Sequence, residues 1–170
     1  MWIDSHLEPA LSQSPPVRIP DLASSPHWLE VEELLALSPQ QIFVAWTTGF
    51  DRWFAAPGSV LMTPAVNAPF FFETEFQFEA DGPVERHPHY GRFLRLEPDR
   101  LIEMTWVTGP AGTSGAETVV TVELEPEGHG TRVRLRHAGF LDADARDRTR
   151  MAWPFVLGQM EARILGLKER

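Results

Sequence analysis

The hydrophobic period of this chain changes from two to 3.6 in its last third, and that switch constrains the fold more than any other feature. Thr131, Val133, Leu135 and His137 alternate with Arg132, Arg134 and Arg136. Successive strand side chains point to opposite faces, so this segment has one charged, wet face and one mostly apolar face. Trp153, Val156, Leu157, Met160, Ile164 and Leu167 then recur at helical spacing. An inward strand row ending in a histidine, followed by a long helix carrying Trp and Met, predicts a sheet gripping a helix.

Upstream, the pattern is mostly period two. Residues 1–26 hold Pro9, Pro15, Pro16, Pro20 and Pro26 with several serines and read as an extended arm, with Trp2, Ile3 and Leu7 available to dock. His27 to Leu37 reads as a strand, although Leu34, Leu35 and Leu37 also suit a helix. Ser38-Pro39-Gln40-Gln41 is a helix start, with Ser38 as N-cap, Pro39 in the first turn and Gln41 three residues after the cap. That helix carries Ile42, Phe43, Ala45 and Trp46 and ends near Gly49; Phe50 to Phe54 reads as a second short helix. Phe70, Phe72, Thr74, Phe76 and Phe78 alternate with Phe71, Glu73, Glu75, Gln77 and Glu79, a half-buried strand. Further strands are expected at His89–Glu97, at Leu101–Val107 with Ile102, Met104 and Trp106 on one face, and at Glu117–Glu125 with Thr118, Val120, Val122 and Leu124 on one face. Glu117 and Glu123 are expected opposite the arginines of the last strand. Asp142 or Asp144 caps the final helix, which Pro154 is expected to kink or divide.

Composition excludes several classes of function. A length of 170 residues favours one domain, placed at 27–170 behind the arm. The net charge of -9 argues against nucleic acid, which needs a basic footprint. The chain has no cysteine, which excludes disulfides and thiolate-held metal and fits a reducing, cytoplasmic setting. No apolar run approaches the ~20 residues that span a bilayer, so no membrane insertion is expected. Six Trp and eleven Phe against one Tyr give large rigid rings that either fill a core or line a cavity.

The order is strand, two short helices, a run of strands and a long C-terminal helix. Local matches are Ser38-Pro39 before Ile42-Phe43 and Trp46, and Tyr90-Gly91-Arg92-Phe93 running into Leu96-Glu97-Pro98 and Arg100-Leu101. Further matches are Met104-Thr105-Trp106, Thr121-Val122-Glu123-Leu124, Gly130-Thr131-Arg132-Val133 through His137, Gly139-Phe140, and Trp153 before Leu157. In this order they resemble the SRPBCC superfamily, also called START or Bet v 1-like, and especially its branch similar to the C-terminal domain of the activator of Hsp90 ATPase. The resemblance covers roughly residues 27 to 167. It implies an α+β helix-grip fold: a curved antiparallel sheet around the C-terminal helix, with a cavity between them closed at one end by the short helices.

On that frame the candidate ligand-binding residues are Trp46, Trp53 and Phe54 from the short helices, Phe72, Phe76, Met104, Trp106, Thr118 and His137 from the sheet, and Trp153, Leu157 and Met160 from the last helix. Binding sites are mostly apolar with a few placed polar groups, and His137 and Thr118 would be those groups. The leading expectation is a non-enzymatic binder of a hydrophobic or amphipathic small molecule, lipid-like or aromatic. The alternatives are an enzyme of the polyketide cyclase, dehydratase or hydrolase kind with His137 as base, and an Hsp90 co-chaperone-like interaction domain. Asp51 and Asp147 are candidate partners of His137, with capping or surface roles as the simpler reading. His87 and His89 stand at spacing two with Glu85 nearby, but Pro83 and Pro88 suggest a solvated loop and no third ligand is spaced for metal. No Ser-centred elbow, phosphate-cradling loop or metal-ligand cluster is present, and no cofactor is expected. A homodimer through the arm or an edge strand is a further candidate.

Overall fold

The computed structural model describes residues 16–77 and 79–167. β1 (His27–Leu35) leads into α1 (Pro39–Ala45) and one turn of 3-10 helix at Phe50–Arg52. The short β2 (Leu61–Met62) precedes β3 (Pro69–Phe76), β4 (Glu85–Glu97), β5 (Leu101–Thr108), β6 (Thr118–Glu127) and β7 (Gly130–Phe140). α2 (Ala143–Ile164) follows. The strands form one curved antiparallel sheet in the order β1-β7-β6-β5-β4-β3-β2. The helix-grip architecture expected from the sequence is the fold of this chain.

The two faces of β7 separate as its alternation requires. Thr131, Val133, Leu135 and His137 are buried, while Arg132, Arg134 and Arg136 face outward. Arg134 reaches Glu30, Glu32 and Glu123, so carboxylates from both neighbouring strands flank it. Arg132 reaches Glu32 and Glu127, and Arg136 lies over the Trp28 ring at 4.6 Å. Glu117 is not part of this set; it faces Arg92 at 3.8 Å.

The helix signals behave as their chemistry dictates. Ser38 Oγ accepts from Gln41 N at 3.2 Å and Gln41 Oε1 accepts from Ser38 N at 2.9 Å, a reciprocal capping box. Asp142 Oδ1 accepts from Ala145 N at 2.7 Å and starts α2. Pro154 does not divide α2, which runs unbroken for 22 residues, about 33 Å at ~1.5 Å per residue. Trp53 Nε1 donates to Ala45 O at 2.8 Å, and Arg163 Nη1 donates to Trp53 O at 2.6 Å. These bonds tie the end of α1, the 3-10 turn and the end of α2 into one unit.

Four elements differ from the sequence-based expectation. β1 stops at Leu35, the 3-10 turn is shorter than the expected second helix, and the two-residue β2 was not expected. β4 starts at Glu85, so His87 and Pro88 are strand residues and not a loop, and His89 lies within the strand it was expected to open. Proline is tolerated there because β5 ends opposite His89, leaving Pro88 with a sheet neighbour on the β3 side only.

Inside the grip, Trp46 contacts Phe50, Trp53, Trp106 and Trp153 at centroid distances of 5.4–6.5 Å. Phe50 stacks on Phe72 at 4.9 Å. Gly91 lets the Phe70 ring lie on β4, since a Cβ there would sit 2.3 Å from that ring. Residues 16–26 carry no helix or strand. They are held by a hydrogen bond from Arg92 Nη2 to Arg18 O and by Leu22, which packs where a Cβ on Gly139 would otherwise stand. Trp2, Ile3, Leu7 and Phe78 lie outside the described residues. Among the described residues no helix is long and apolar enough to cross a membrane.

Candidate functional site

The inner rows of β3, β4 and β5 reach the end of the sheet beside the middle of α2, and there the packing opens. A solvent-facing cleft of about 710 Å³ lies between Thr74 and Phe76 of β3, His87, Pro88 and His89 of β4, and Trp106 and Thr108 of β5. Residues 109–112, Phe54, and Thr149, Ala152, Trp153 and Val156 of α2 complete it. No Asp, Glu, Lys or Arg is among these lining residues.

His89 is the buried polar group of this cleft, 8% exposed. Its ring stacks on Phe72 at 4.7 Å and meets Trp106 and Phe54 edge to face at 5.1 and 5.5 Å. Nδ1 lies 3.0 Å from the His87 carbonyl, which can only accept, so Nδ1 carries the proton and Nε2 the lone pair. Burial pushes the His89 pKa down to about 4; the carbonyl of His87 opposes the shift and the His87 side chain adds to it.

His137, the histidine expected in the pocket, sits deeper and does not line the cleft. Trp153 Nε1 donates to its Nδ1 at 3.3 Å, and its Nε2 lies 2.7 Å from Thr118 Oγ1. Thr118 Oγ1 in turn donates to Trp106 O at 2.5 Å. The donor on Nδ1 sets the tautomer, so the chain runs from Trp153 through His137 and Thr118 to the backbone of β5. Burial alone pushes the His137 pKa down to about 3. The ring is neutral, bonded at both nitrogens and cut off from solvent, which removes it as an accessible base.

The other expected residues divide in the same way. Phe54, Phe76, Trp106 and Trp153 line the cleft. Trp46, Trp53, Phe72, Met104, Leu157 and Met160 are buried in the hydrophobic core, as Thr118 is beside His137. Trp46 Nε1 is buried with no hydrogen-bond partner among the described residues. Asp51 and Asp147 are exposed, and Asp147 pairs with Arg146 at 2.5 Å. His89 was hidden in the sequence by Pro88. Its spacing of two from His87 was visible, but only the β3–β4 register, which pairs His89 with Phe72, puts it on the inner row.

Two other depressions lack these qualities. One of about 540 Å³ lies among Asp99, Arg100, Glu123, Glu125, Arg132 and Arg134, where the arginines are engaged by carboxylates. One of about 410 Å³ lies beside α1 and the end of α2, lined by Gln40, Gln41, Arg52 and Arg163. Among the described residues no three His, Asp or Glu side chains come together to hold a metal.

No curated protein matches the chain, but solved structures share its fold. A protein from Chromobacterium violaceum is 22% identical, with a TM-score of 0.65 over 82% of this chain and 98% of its own. A protein from Mesorhizobium loti is 24% identical, with a TM-score of 0.63 over 84% of this chain and 100% of its own. The Aha1 protein of Colwellia psychrerythraea, a dimer in solution, is 19% identical, with a TM-score of 0.56 over 82% of this chain and 98% of its own. Residues 36–164, from the turn after β1 to the end of α2, match the family described as activator of Hsp90 ATPase homolog 1-like protein, and the chain belongs to that family.

Proposed function

We propose that this protein binds a hydrophobic or amphipathic small molecule, without turning it over, in the cleft between β3–β5 and α2. The observation that carries this reading is the lining. Rings of Phe54, Phe76, Trp106 and Trp153 bound about 710 Å³ that contains no acidic side chain, lysine or arginine. Ligand sites typically enclose ~300–1,000 Å³ and combine apolar walls with a few placed polar groups. The helix-grip fold shared with the family supports the same reading, since it places a curved sheet against a long helix.

Binding is favoured over catalysis by the state of the two inner histidines. A general base works best with a pKa near the operating pH. His89 is pushed down to about 4 and His137 to about 3, so neither draws a proton strongly at neutral pH.

Thermal shift and native mass spectrometry, with a panel of lipids and aromatic natural products, test the proposal. A ligand present at a hundred times its Kd adds about 2.7 kcal/mol to stability, a rise of several degrees in Tm. Ala152 is exposed on the α2 wall of the cleft. Ala152→Trp is expected to abolish the ligand shift while the unliganded Tm stays within about 2 °C of wild type, as for other surface changes. A panel with neither shift nor mass adduct would sink the proposal, as would a tryptophan at 152 that leaves binding untouched.

A further inference from the structure

The polar groups of the cleft differ in what they leave open. Thr108 Oγ1 accepts from Thr113 N at 2.8 Å, and Thr149 Oγ1 donates to Ala145 O at 2.9 Å. His87 Nε2 faces Glu85 Oε2 at 3.7 Å. His89 Nδ1 is committed to the His87 carbonyl. His89 Nε2 has no partner among the described residues, and it is not sealed away as Trp46 Nε1 is. It presents a lone pair on a ring that is itself more than nine-tenths buried and clamped between Phe72, Trp106 and Phe54.

A fixed lone pair in an apolar wall discriminates by chemistry. An O–H donor satisfies it. An ether or a bare hydrocarbon leaves it unpaired and forfeits a hydrogen bond. A carboxylate brings only acceptors to it and meets no lysine or arginine in the lining, so the hydration it gives up is not offset by an ion pair. The ring walls favour flat molecules, since aromatic pairs stack or meet edge to face.

We propose that the cleft selects flat, uncharged aromatic molecules that carry a hydroxyl group, and that His89 Nε2 accepts the hydrogen bond from that hydroxyl. This deepens the small-molecule reading and rests on it. His89 is then a specificity-determining residue, and no proton needs to leave the ligand. The neutral state of the ring suits the role, because a protonated imidazole has no lone pair to offer.

Equilibrium dialysis of the full chain at neutral pH, with a naphthol, its methyl ether and the corresponding naphthoate, tests the proposal. The naphthol is expected to bind roughly fivefold to tenfold more tightly than the ether, the worth of one net hydrogen bond, and the naphthoate most weakly. His89→Phe is expected to bring naphthol and ether within about twofold of each other. Nitrogen NMR of the wild-type protein reads the same contact without a variant. The His89 Nε2 resonance should move when naphthol binds and stay in place when the ether binds. Equal binding of naphthol and ether, tightest binding by the naphthoate, or an unmoved Nε2 resonance with naphthol bound would each overturn the role of His89 and leave the cleft as the site. If none of the three compounds binds, the small-molecule reading falls and this inference falls with it.

Discussion

Two histidines share the inner face of the sheet, and their surroundings set them apart. His137 has both ring nitrogens engaged, by Trp153 Nε1 and Thr118 Oγ1, and acts as a buried strut between α2 and β5. His89 has one nitrogen engaged and one open at the cleft. Both are neutral because burial disfavours the imidazolium. In the unfolded chain each titrates near 6.5, whereas in the folded protein they titrate at about 4 and about 3. As pH falls below 6.5 the unfolded state therefore takes up protons first. Stability from these groups is full above that pH and is lost as pH falls through the window from 6.5 toward 4. The loss is up to about 1.4 kcal/mol per pH unit for each histidine. Urea midpoints measured from pH 7 to pH 4.5 should fall accordingly, and His89→Phe should remove roughly half of the slope. A flat profile in wild type would show that the folded protein takes up protons at these histidines as readily as the unfolded chain does.

At the scale of elements, α2 contains an internal cost. Pro154 lies in an exposed position in the middle of a helix that is otherwise capped and continuous. It cannot donate to the carbonyl one turn back, and its ring crowds that turn. Pro154→Ala restores a donor in a geometry alanine adopts freely, and is expected to stabilise the protein by about 1 kcal/mol or more in chemical denaturation. A destabilised variant would mean that restriction of the unfolded chain by proline outweighs the missing bond. The helix starts were legible because caps are local chemistry: Ser38 with Gln41, and Asp142 with Ala145, bond across three residues. The start of β4 was not legible. Whether Pro88 needs a donor depends on whether a strand lies beside it, and only the point where β5 ends decides that.

For the whole molecule, the aromatic cluster is the joint. Trp46 from the end of α1, Phe50 from the 3-10 turn, Phe72 from β3, Trp106 from β5 and Trp153 from α2 are joined in one network of ring contacts. None of these five elements can leave without opening that cluster, so the domain is expected to unfold as one unit. The near-UV dichroism of the tryptophans and the far-UV signal should be lost at the same midpoint. A near-UV transition that comes first would show α2 or the short helices peeling away from an intact sheet.

The sequence by itself determined the alternating strands, the caps and the charged outer face of β7, because each is a relation among residues a few positions apart; the helix-grip order came from the family resemblance that runs along residues 27 to 167. The inward position of Trp106, Trp153 and His137 followed from the same periodicity. Only the tertiary structure decided which inward residues meet solvent. Met104 carries the same alternation as Trp106, yet it lies in the closed part of the grip, while Trp106 lies where the sheet ends. The exchange of His137 for His89 as the histidine of the cleft has the same cause. Periodicity specifies the face on which a side chain stands; where along that face the opposing helix stops covering it depends on residues of another element, brought there only by the fold.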